Sequence, residues 1–504
     1  MEFLGLVDIP GWIVTLIVLV ITLYLYSVWH HSFWKNLGIP GPKPVPYLGI
    51  LKSYMAKGVI GTDLELHKDY GDVVGIYHGH LPCLLVADPE VIKEICIKQF
   101  HNFTNRPMPF KIDKKYLYSL AITTDNHWKF LRSTLSPTFT SGKMKTMMPK
   151  IQKCCDALVD NIGLQCNNHE SVEMKELCGA YTMDVICSTA FGIEVDSQKD
   201  PNNKFVHYAK MAAIGSVTRP ILMLAMMFPF LNRFMKVEMV KKEVYDFFLS
   251  ATRSTLDMRK TSKEEYHDFL QLMIDARQSG TSTDEFTAGE LQEFKDRGLN
   301  EREIEANARS FFIAGYDTTA NTLSFACYCL ATNPDVQQKV IAEIDSELQG
   351  KIPQFDNIGK LEYMDRFLNE VLRLYGAATR FNRHCKEDTT IKGIFIPKGM
   401  DVNVPVCAVH RNPKYWPDPE KFDPERFTEY NKAKRPDYAF IPFGVGPRMC
   451  IGMRLAVLEA KMALIYMLRN YKFSVCEKTE VPVIFEKGGL LRAKNGIHVM
   501  VDKR

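Results

Sequence analysis

The sequence predicts a mainly α-helical protein with a small β-sheet region, preceded by one transmembrane anchor helix. Residues 9–34 contain no Asp, Glu, Lys or Arg, and a helix needs roughly 20 apolar residues to cross the hydrocarbon core of a bilayer. Beyond residue 47, long helical patterns fill most of the chain, while strand-like pieces are confined to residues 73–77, 83–86 and 391–406. Composition agrees with a packed body. The 504 residues suffice for a large core, and 46% hydrophobic with 24% charged residues are ordinary globular values. With 63 basic and 59 acidic residues the net charge is only +4, which argues against a nucleic-acid-coating protein. Thirteen cysteines, an odd number with no C-x-x-C pair, support neither a disulfide framework nor a zinc site and point to a reducing compartment.

Taken in chain order, residues 1–35 read as an uncleaved signal anchor. Trp12, Tyr24, Tyr26 and Trp29 lie near the ends of the apolar run, where aromatic rings favour the membrane interface. A cleaved signal peptide would start basic and end at small residues. Here Glu2 and Asp8 precede the run, and His30, His31, Phe33 and Trp34 follow it. Lys35, Lys43 and Lys52 come afterwards, so the positive-inside rule puts the remainder of the chain in the cytosol. Residues 36–46 hold Pro40, Pro42, Pro44 and Pro46, a stiff extended hinge. Residues 47–504 form the cytosolic domain. Within it, the stretch from Gln278 to Asp284 reads as a polar connector. Residues 222–230, rich in Met and Phe, read equally as a membrane-dipping segment or a core helix.

The chemistry concentrates towards the C-terminus. Phe443-Gly444-Val445-Gly446-Pro447-Arg448-Met449-Cys450-Ile451-Gly452 delivers one cysteine just before a helix whose apolar face is Ile451, Leu455, Leu458, Met462 and Ile465. Sulfur at a helix N-terminus meets unpaired N–H groups and the positive end of the dipole, both of which favour thiolate. The glycines let backbone approach a flat cofactor, and Arg448 offers a cation for a carboxylate. A buried cysteine is usually inert, but in this loop it reads as a ligand. Upstream, residues 300–332 read as one helix stopped by Asn333-Pro334. Gly315 in its middle costs about 1 kcal/mol against alanine, a sign of a packing or functional demand. Small Ala314 and Gly315 would let a flat ring approach, and Asp317 and Thr318 offer an acid and a hydroxyl to hold water.

The ten-residue loop resembles the haem-ligand signature of the cytochrome P450 family of haem-thiolate monooxygenases. Glu370-Val371-Leu372-Arg373 is similar to its E-x-x-R pair, Pro424-Glu425-Arg426-Phe427 to its P-E-R-F segment, and Ala314-Gly315-Tyr316-Asp317-Thr318-Thr319 to its oxygen-activating helix. The anchor and hinge also fit its microsomal members. The resemblance implies the cytochrome P450 fold and haem b, with Cys450 as the axial ligand of iron and Phe443 and Ala314 beside the ring. It implies that Thr318 with Asp317 delivers protons during oxygen activation. It further implies a lock of Glu370 and Arg373 against Arg426 beneath the haem loop. Trp128 and Arg132 resemble the family's W-x-x-x-R, and with Arg383 and Arg448 they would seat the haem propionates. Arg106 is a further candidate of this kind, but as a lone arginine it reads more readily as a surface charge.

No Walker loop and no strand–G-x-G-x-x-G–helix unit occurs, so electrons must come from a partner. The resemblance implies NADPH-cytochrome P450 reductase, with cytochrome b5 as a second donor, on the endoplasmic reticulum membrane. Lys129, Lys143 and Lys145 could steer such an acidic partner or form a solvated charge run. Residues 135–143 and 268–275 look most like the vertebrate drug- and steroid-oxidising family 3, which implies a lipophilic small-molecule substrate. Arg219-Pro220-Ile221-Leu222 and Lys494-Asn495-Gly496 also resemble thromboxane synthase, an endoperoxide isomerase. That sister lacks the acid–alcohol pair kept here at Asp317-Thr318. Two positions depart from the pattern: Gly376 replaces a usual proline and would loosen Ala377-Ala378-Thr379, and residues 212–224 lack the expected phenylalanine cluster. The topology makes a prediction. Asn102-Phe103-Thr104 is a glycosylation sequon on the cytosolic side, so endoglycosidase treatment of the expressed protein should leave its gel mobility unchanged.

Overall fold

The computed structural model describes residues 2–3, 7–8, 10–108, 113–166, 171–213, 228, 238, 240–266, 268–278 and 298–504. The polar connector after Gln278, residues 214–224 and, except for Phe228, the Met/Phe-rich stretch 222–230 lie outside the described residues. The expected anchor segment forms the helix Gly11–His30, long and apolar enough to span a membrane at about 30 Å of rise. Its side chains are exposed along the apolar run, except that Ser27 is buried where the helix meets the domain. Trp34, which closes the charge-free run, is buried in the domain. Its indole Nε1 donates to Ile76 O at 2.8 Å, and a Cβ on Gly75 would lie 2.4 Å from its ring.

The proline-rich segment packs against the strand that carries Gly75. Gly75 N–H donates to Pro40 O at 2.8 Å, and a Cβ on Gly41 would sit 2.0 Å from Gly75 O. Four strands form the main sheet in the spatial order Val73–His78, Leu81–Val86, Asp401–Pro405, Arg380–His384. The outer pairs are antiparallel and the central pair parallel. The first three coincide with apolar strand-like pieces in the sequence. Arg380–His384 is too polar to read as a strand and forms through pairing with Asp401–Pro405, which sets Arg383 opposite Val402. Gly376 does not loosen the segment after it. Ala377 O accepts from Leu491 N at 3.0 Å, Ala378 bridges to Leu490, and Thr379 Oγ1 donates to Gly489 O at 2.6 Å.

The long helix, Glu301–Thr332, starts with a capping box in which Asn300 and Glu303 bond each other's backbone N–H. It ends at Asn333, where the helix Pro334–Leu348 begins. It packs along the helix Met174–Phe191, and this contact explains Gly315: a Cβ there would lie 2.9 Å from the Ile186 side chain. Gly315 therefore permits close approach of a neighbouring helix rather than of a flat ring. The thirteen cysteines are free. Asn102 is buried, with Nδ2 on Glu387 O and Oδ1 accepting from Lys386 and Glu387 N–H.

The helix Glu362–Tyr375 carries the E-x-x-R pair wholly inside the protein. Arg373 grips Glu370 with two bonds of 2.7 and 2.8 Å and donates to the carbonyls of His410 and Pro419. Glu370 also accepts from Asp423 N–H at 2.9 Å and faces Arg426 Nε at 3.4 Å. Burial pushes the Glu370 carboxyl up, against Arg373, the Asp423 N–H and Arg426. Breaking one side of such a pair strands a buried charge, at about 3–5 kcal/mol. Arg373→Ala should therefore lose most folded protein, read as the yield of soluble material and the thermal midpoint of what remains.

Candidate active site

A cavity of about 430 Å³ opens between the long helix, the cysteine loop and the Arg380–His384 strand. Thr318, Thr319 and Thr322 line it from the long helix, Ala377 and Ala378 from the pinned segment, and Phe443, Gly444 and Cys450 from the loop. Arg106, Arg383 and Arg448 also line it. A volume of this order lies within the range of small-molecule and cofactor sites.

The cysteine loop has a shape only its sequence allows. Gly444 and Gly446 both adopt φ of +74°, and a Cβ on Gly446 would lie 2.1 Å from Cys96 O. Cys450 N–H closes the loop on Phe443 O at 2.9 Å. The helix Met453–Asn470 then begins, so the N–H groups of Gly452 and Met453 reach the sulfur. Burial pushes the thiol up, while these two N–H groups and the guanidiniums of Arg132 and Arg106 pull it towards thiolate. Cys450 is the one cysteine lining this cavity.

The loop hangs from His410, a residue that no sequence motif marked. Its Nδ1 lies 3.1 Å from Arg373 O, and its Nε2 accepts from Ile441 N–H at 2.8 Å. A carbonyl oxygen accepts and an N–H donates, so the ring is neutral, with its proton on Nδ1. Burial, reinforced by Arg373, pushes its pKa down to about 3.

The arginines crowd one pole of the cavity. Arg448 donates to Thr104 O and Thr123 O at 2.9 and 2.7 Å, and its guanidinium lies 4.3 Å from the centroid of the Trp128 ring. Arg132 donates to Met449 O at 2.9 Å, next to Cys450. Arg383 is buried with its Nε unpartnered. Arg106, expected at the surface, lines the cavity instead and donates to Ala121 O at 3.2 Å. Burial and mutual repulsion depress these cations: Arg448 falls to about 9, with Arg106 and Arg383 as neighbours, and Arg106 to about 10, with Arg383. A cluster that raises its own energy this way is the complement of a dicarboxylate such as the propionate edge of haem. The donor set therefore fits: a cysteine sulfur at one wall, cations at one pole, apolar surface between.

The acid–alcohol pair is divided. Thr318 lines the cavity with its hydroxyl proton spent on Ala314 O at 2.8 Å, leaving acceptor lone pairs. Ala314 is exposed on the helix surface one turn earlier. Asp317 does not line the cavity. It is buried between Lys175 Nζ at 2.8 Å and Arg492 Nη2 at 2.6 Å. Burial pulls its pKa up, but these two cations outweigh it and leave it below the usual range. Adjacent helix positions point about 100° apart, so the two side chains leave the helix on different sides. Lys175 and Arg492 escaped the sequence reading because they lie 142 and 175 residues away.

A cysteine presented to a cavity by a glycine loop, opposite a threonine-bearing helix, defines a haem-thiolate site. The chain belongs to the cytochrome P450 family, whose model matches residues 39–501. It is similar to Cytochrome P450 3A41 of Mus musculus, 39% identical over 512 residues that cover 100% of this chain and 99% of that one. It is also 40% identical to Cytochrome P450 3A9 of Rattus norvegicus and 39% identical to Cytochrome P450 3A5 of Homo sapiens, with the same coverage. As a member of this family it is a monooxygenase that carries haem on a cysteine thiolate.

His410 predicts an acid dependence. Its pKa lies lower in the fold than in the unfolded chain, so the stability it contributes is whole above pH ~6.5 and is lost as pH falls towards 3. Unfolding followed between pH 6.5 and 4 should steepen with acid, and His410→Asn should show a shallower slope.

Proposed function

We propose that Cys450 supplies the axial thiolate of a membrane-anchored monooxygenase that oxidises lipophilic small molecules, of the kind met by the drug- and steroid-oxidising P450s. The observation that carries this reading is the position of Cys450: alone among thirteen cysteines it lines the cavity, with N–H groups and guanidiniums around its sulfur. Bound haem would supply the oxygen chemistry, in which a substrate C–H bond, O2, two electrons and two protons yield the alcohol and water.

The chain's own residues do the rest. Arg106, Arg383 and Arg448 neutralise the propionates, Trp128 holds Arg448 by its ring face, and Arg132 braces the loop at Met449. Phe443 and Ala314 bound the ring's surroundings. Thr318 offers acceptor lone pairs to water, which orients a proton donor towards the cavity. Asp317 relays protons from the Lys175 and Arg492 side by exchanging one of those partners for Thr318 or its water. Apolar walls at Ala377, Ala378, Leu372 and Val406 exclude bulk water and receive an apolar substrate.

The electrons come from NADPH through NADPH-cytochrome P450 reductase, with cytochrome b5 as a second donor. Lys129 and Lys143 are available to an acidic partner, whereas Lys145 already pairs with Asp356. The Gly11–His30 helix anchors the protein in the endoplasmic reticulum membrane, with residues 47–504 on the cytosolic face. An endoperoxide isomerase is the weaker alternative, because an isomerase needs no proton relay at Asp317 and Thr318. Turnover without reductase would identify it.

The dithionite-reduced, carbon-monoxide-bound protein should show the strongly red-shifted Soret band of axial thiolate, and Cys450→Ala should abolish it. An unchanged band in that variant would overturn the assignment. Thr318→Ala should keep the band but lower the product formed per NADPH consumed, with the missing reducing equivalents recovered as peroxide.

A further inference from the structure

Towards its N-terminus, on the same side as Thr318, the long helix carries three polar residues at helical spacing: Glu303, Asn307 and Ser310, four and three apart. Glu303 and Asn307 have no exposed surface, and Asn and Ser are poor residues for a helix interior. Each is bonded to the same segment, residues 118–127. His127 Nε2 donates to Glu303 Oε1 at 2.7 Å. Asn307 Oδ1 accepts from Leu120 N–H at 2.8 Å, and its Nδ2 donates to Tyr118 O at 3.2 Å and Glu303 O at 2.7 Å. Ser310 Oγ lies 2.8 Å from Ser119 Oγ. Because the Ser310 proton goes to Ala306 O at 2.8 Å, Ser119 must be the donor in that pair.

The same segment lends its carbonyls to the arginines of the cavity. Leu120 O and Thr123 O accept from Arg448, and Ala121 O accepts from Arg106. One chain of bonds is continuous. Arg448 Nη1 donates to Leu120 O at 3.4 Å, and the N–H of that same peptide, on Ala121, donates to Ser119 Oγ at 3.3 Å. Ser119 then donates to Ser310 and Ser310 to Ala306 O. Bonds in series polarise one another, so each strengthens the next.

We propose that Asn307, seconded by Ser310, is a positioning residue that holds residues 118–123 so that Arg448 and Arg106 face the anionic edge of the haem. The helix that carries Thr318 on one side of the cofactor thus also sets the cation pole that grips its rim. The proposal rests on the reading of Arg448 and Arg106 as propionate partners.

The test is haem transfer from the full-length, detergent-solubilised holoenzyme to excess apomyoglobin, together with the thermal midpoint of each variant. Arg448→Gln checks the underlying reading and should speed transfer. Asn307→Leu, which keeps volume but removes both bonds to residues 118–123, should speed transfer about tenfold, and Ser310→Ala about threefold, as expected for bonds worth ~0.7–1.4 kcal/mol. In the Arg448→Gln background, Asn307→Leu should add little, because its effect runs through that guanidinium. Unchanged transfer in Arg448→Gln would remove the propionate reading. Faster transfer in Arg448→Gln with full additivity of Asn307→Leu, or with no effect of Asn307→Leu, would overturn the positioning role alone. If Asn307→Leu does not fold, Ser310→Ala carries the same cycle, and its additivity decides.

Discussion

The buried ion pair of Glu370 and Arg373 is the constraint on which the site depends. Two opposite charges with no exposed side-chain surface are tolerable only because every face of the pair is bonded. Those bonds reach outward in one direction, through the His410 carbonyl and ring to Ile441, and so to the start of the cysteine loop. The loop is thereby fixed to a helix core rather than to its own flexible glycines. Its position is inherited from a neutral imidazole that can donate at one nitrogen and accept at the other, while Cys450 N–H closes the loop on Phe443 O.

Around that fixed loop the protein arranges charge in two opposite ways. At Cys450, burial raises the thiol pKa, and helix N–H groups with the guanidiniums of Arg132 and Arg106 oppose it. At the arginine pole, burial, and for Arg448 and Arg106 the neighbouring guanidiniums as well, destabilises the cations. Such frustration is unfavourable in the protein alone and favourable once an anion lies between them. The third charged group, Asp317, is treated differently again: two cations hold it ionised outside the cavity. A carboxylate stored beside the cavity, rather than in it, leaves the apolar walls free for a lipophilic ligand.

The loop, the E-x-x-R helix, the long helix and the anchor were legible because each is written locally. Gly444 and Gly446 serve a loop whose φ is +74° at both, Glu370 and Arg373 share one helix face by spacing, and the limits of the long helix are set by Asn300, Glu303 and Asn333-Pro334. The strand Arg380–His384 was not legible, since its polar residues become a strand only when Asp401–Pro405 offers a partner. Arg106 looked like a surface charge for the same reason: nothing near it in sequence shows that Cys450 and Arg383 lie beside it. Gly315 was legible as a constrained position, but its cause, the Ile186 side chain of another helix, was not.

The sequence by itself determined the chemistry on offer: one cysteine in a glycine loop at a helix start, a threonine and an acid on a long helix, and a span of apolar residues for a membrane. These depend on backbone conformation and on neighbours within a few residues, which local sequence encodes. Only the tertiary structure decided which groups face the cavity and which are held away from it. Thr318 lines the cavity while Asp317 turns to Lys175 and Arg492, and Arg106 joins Arg383 and Arg448. The physical reason is that burial and charge pairing are properties of what surrounds a side chain, and here those surroundings come from segments more than a hundred residues apart.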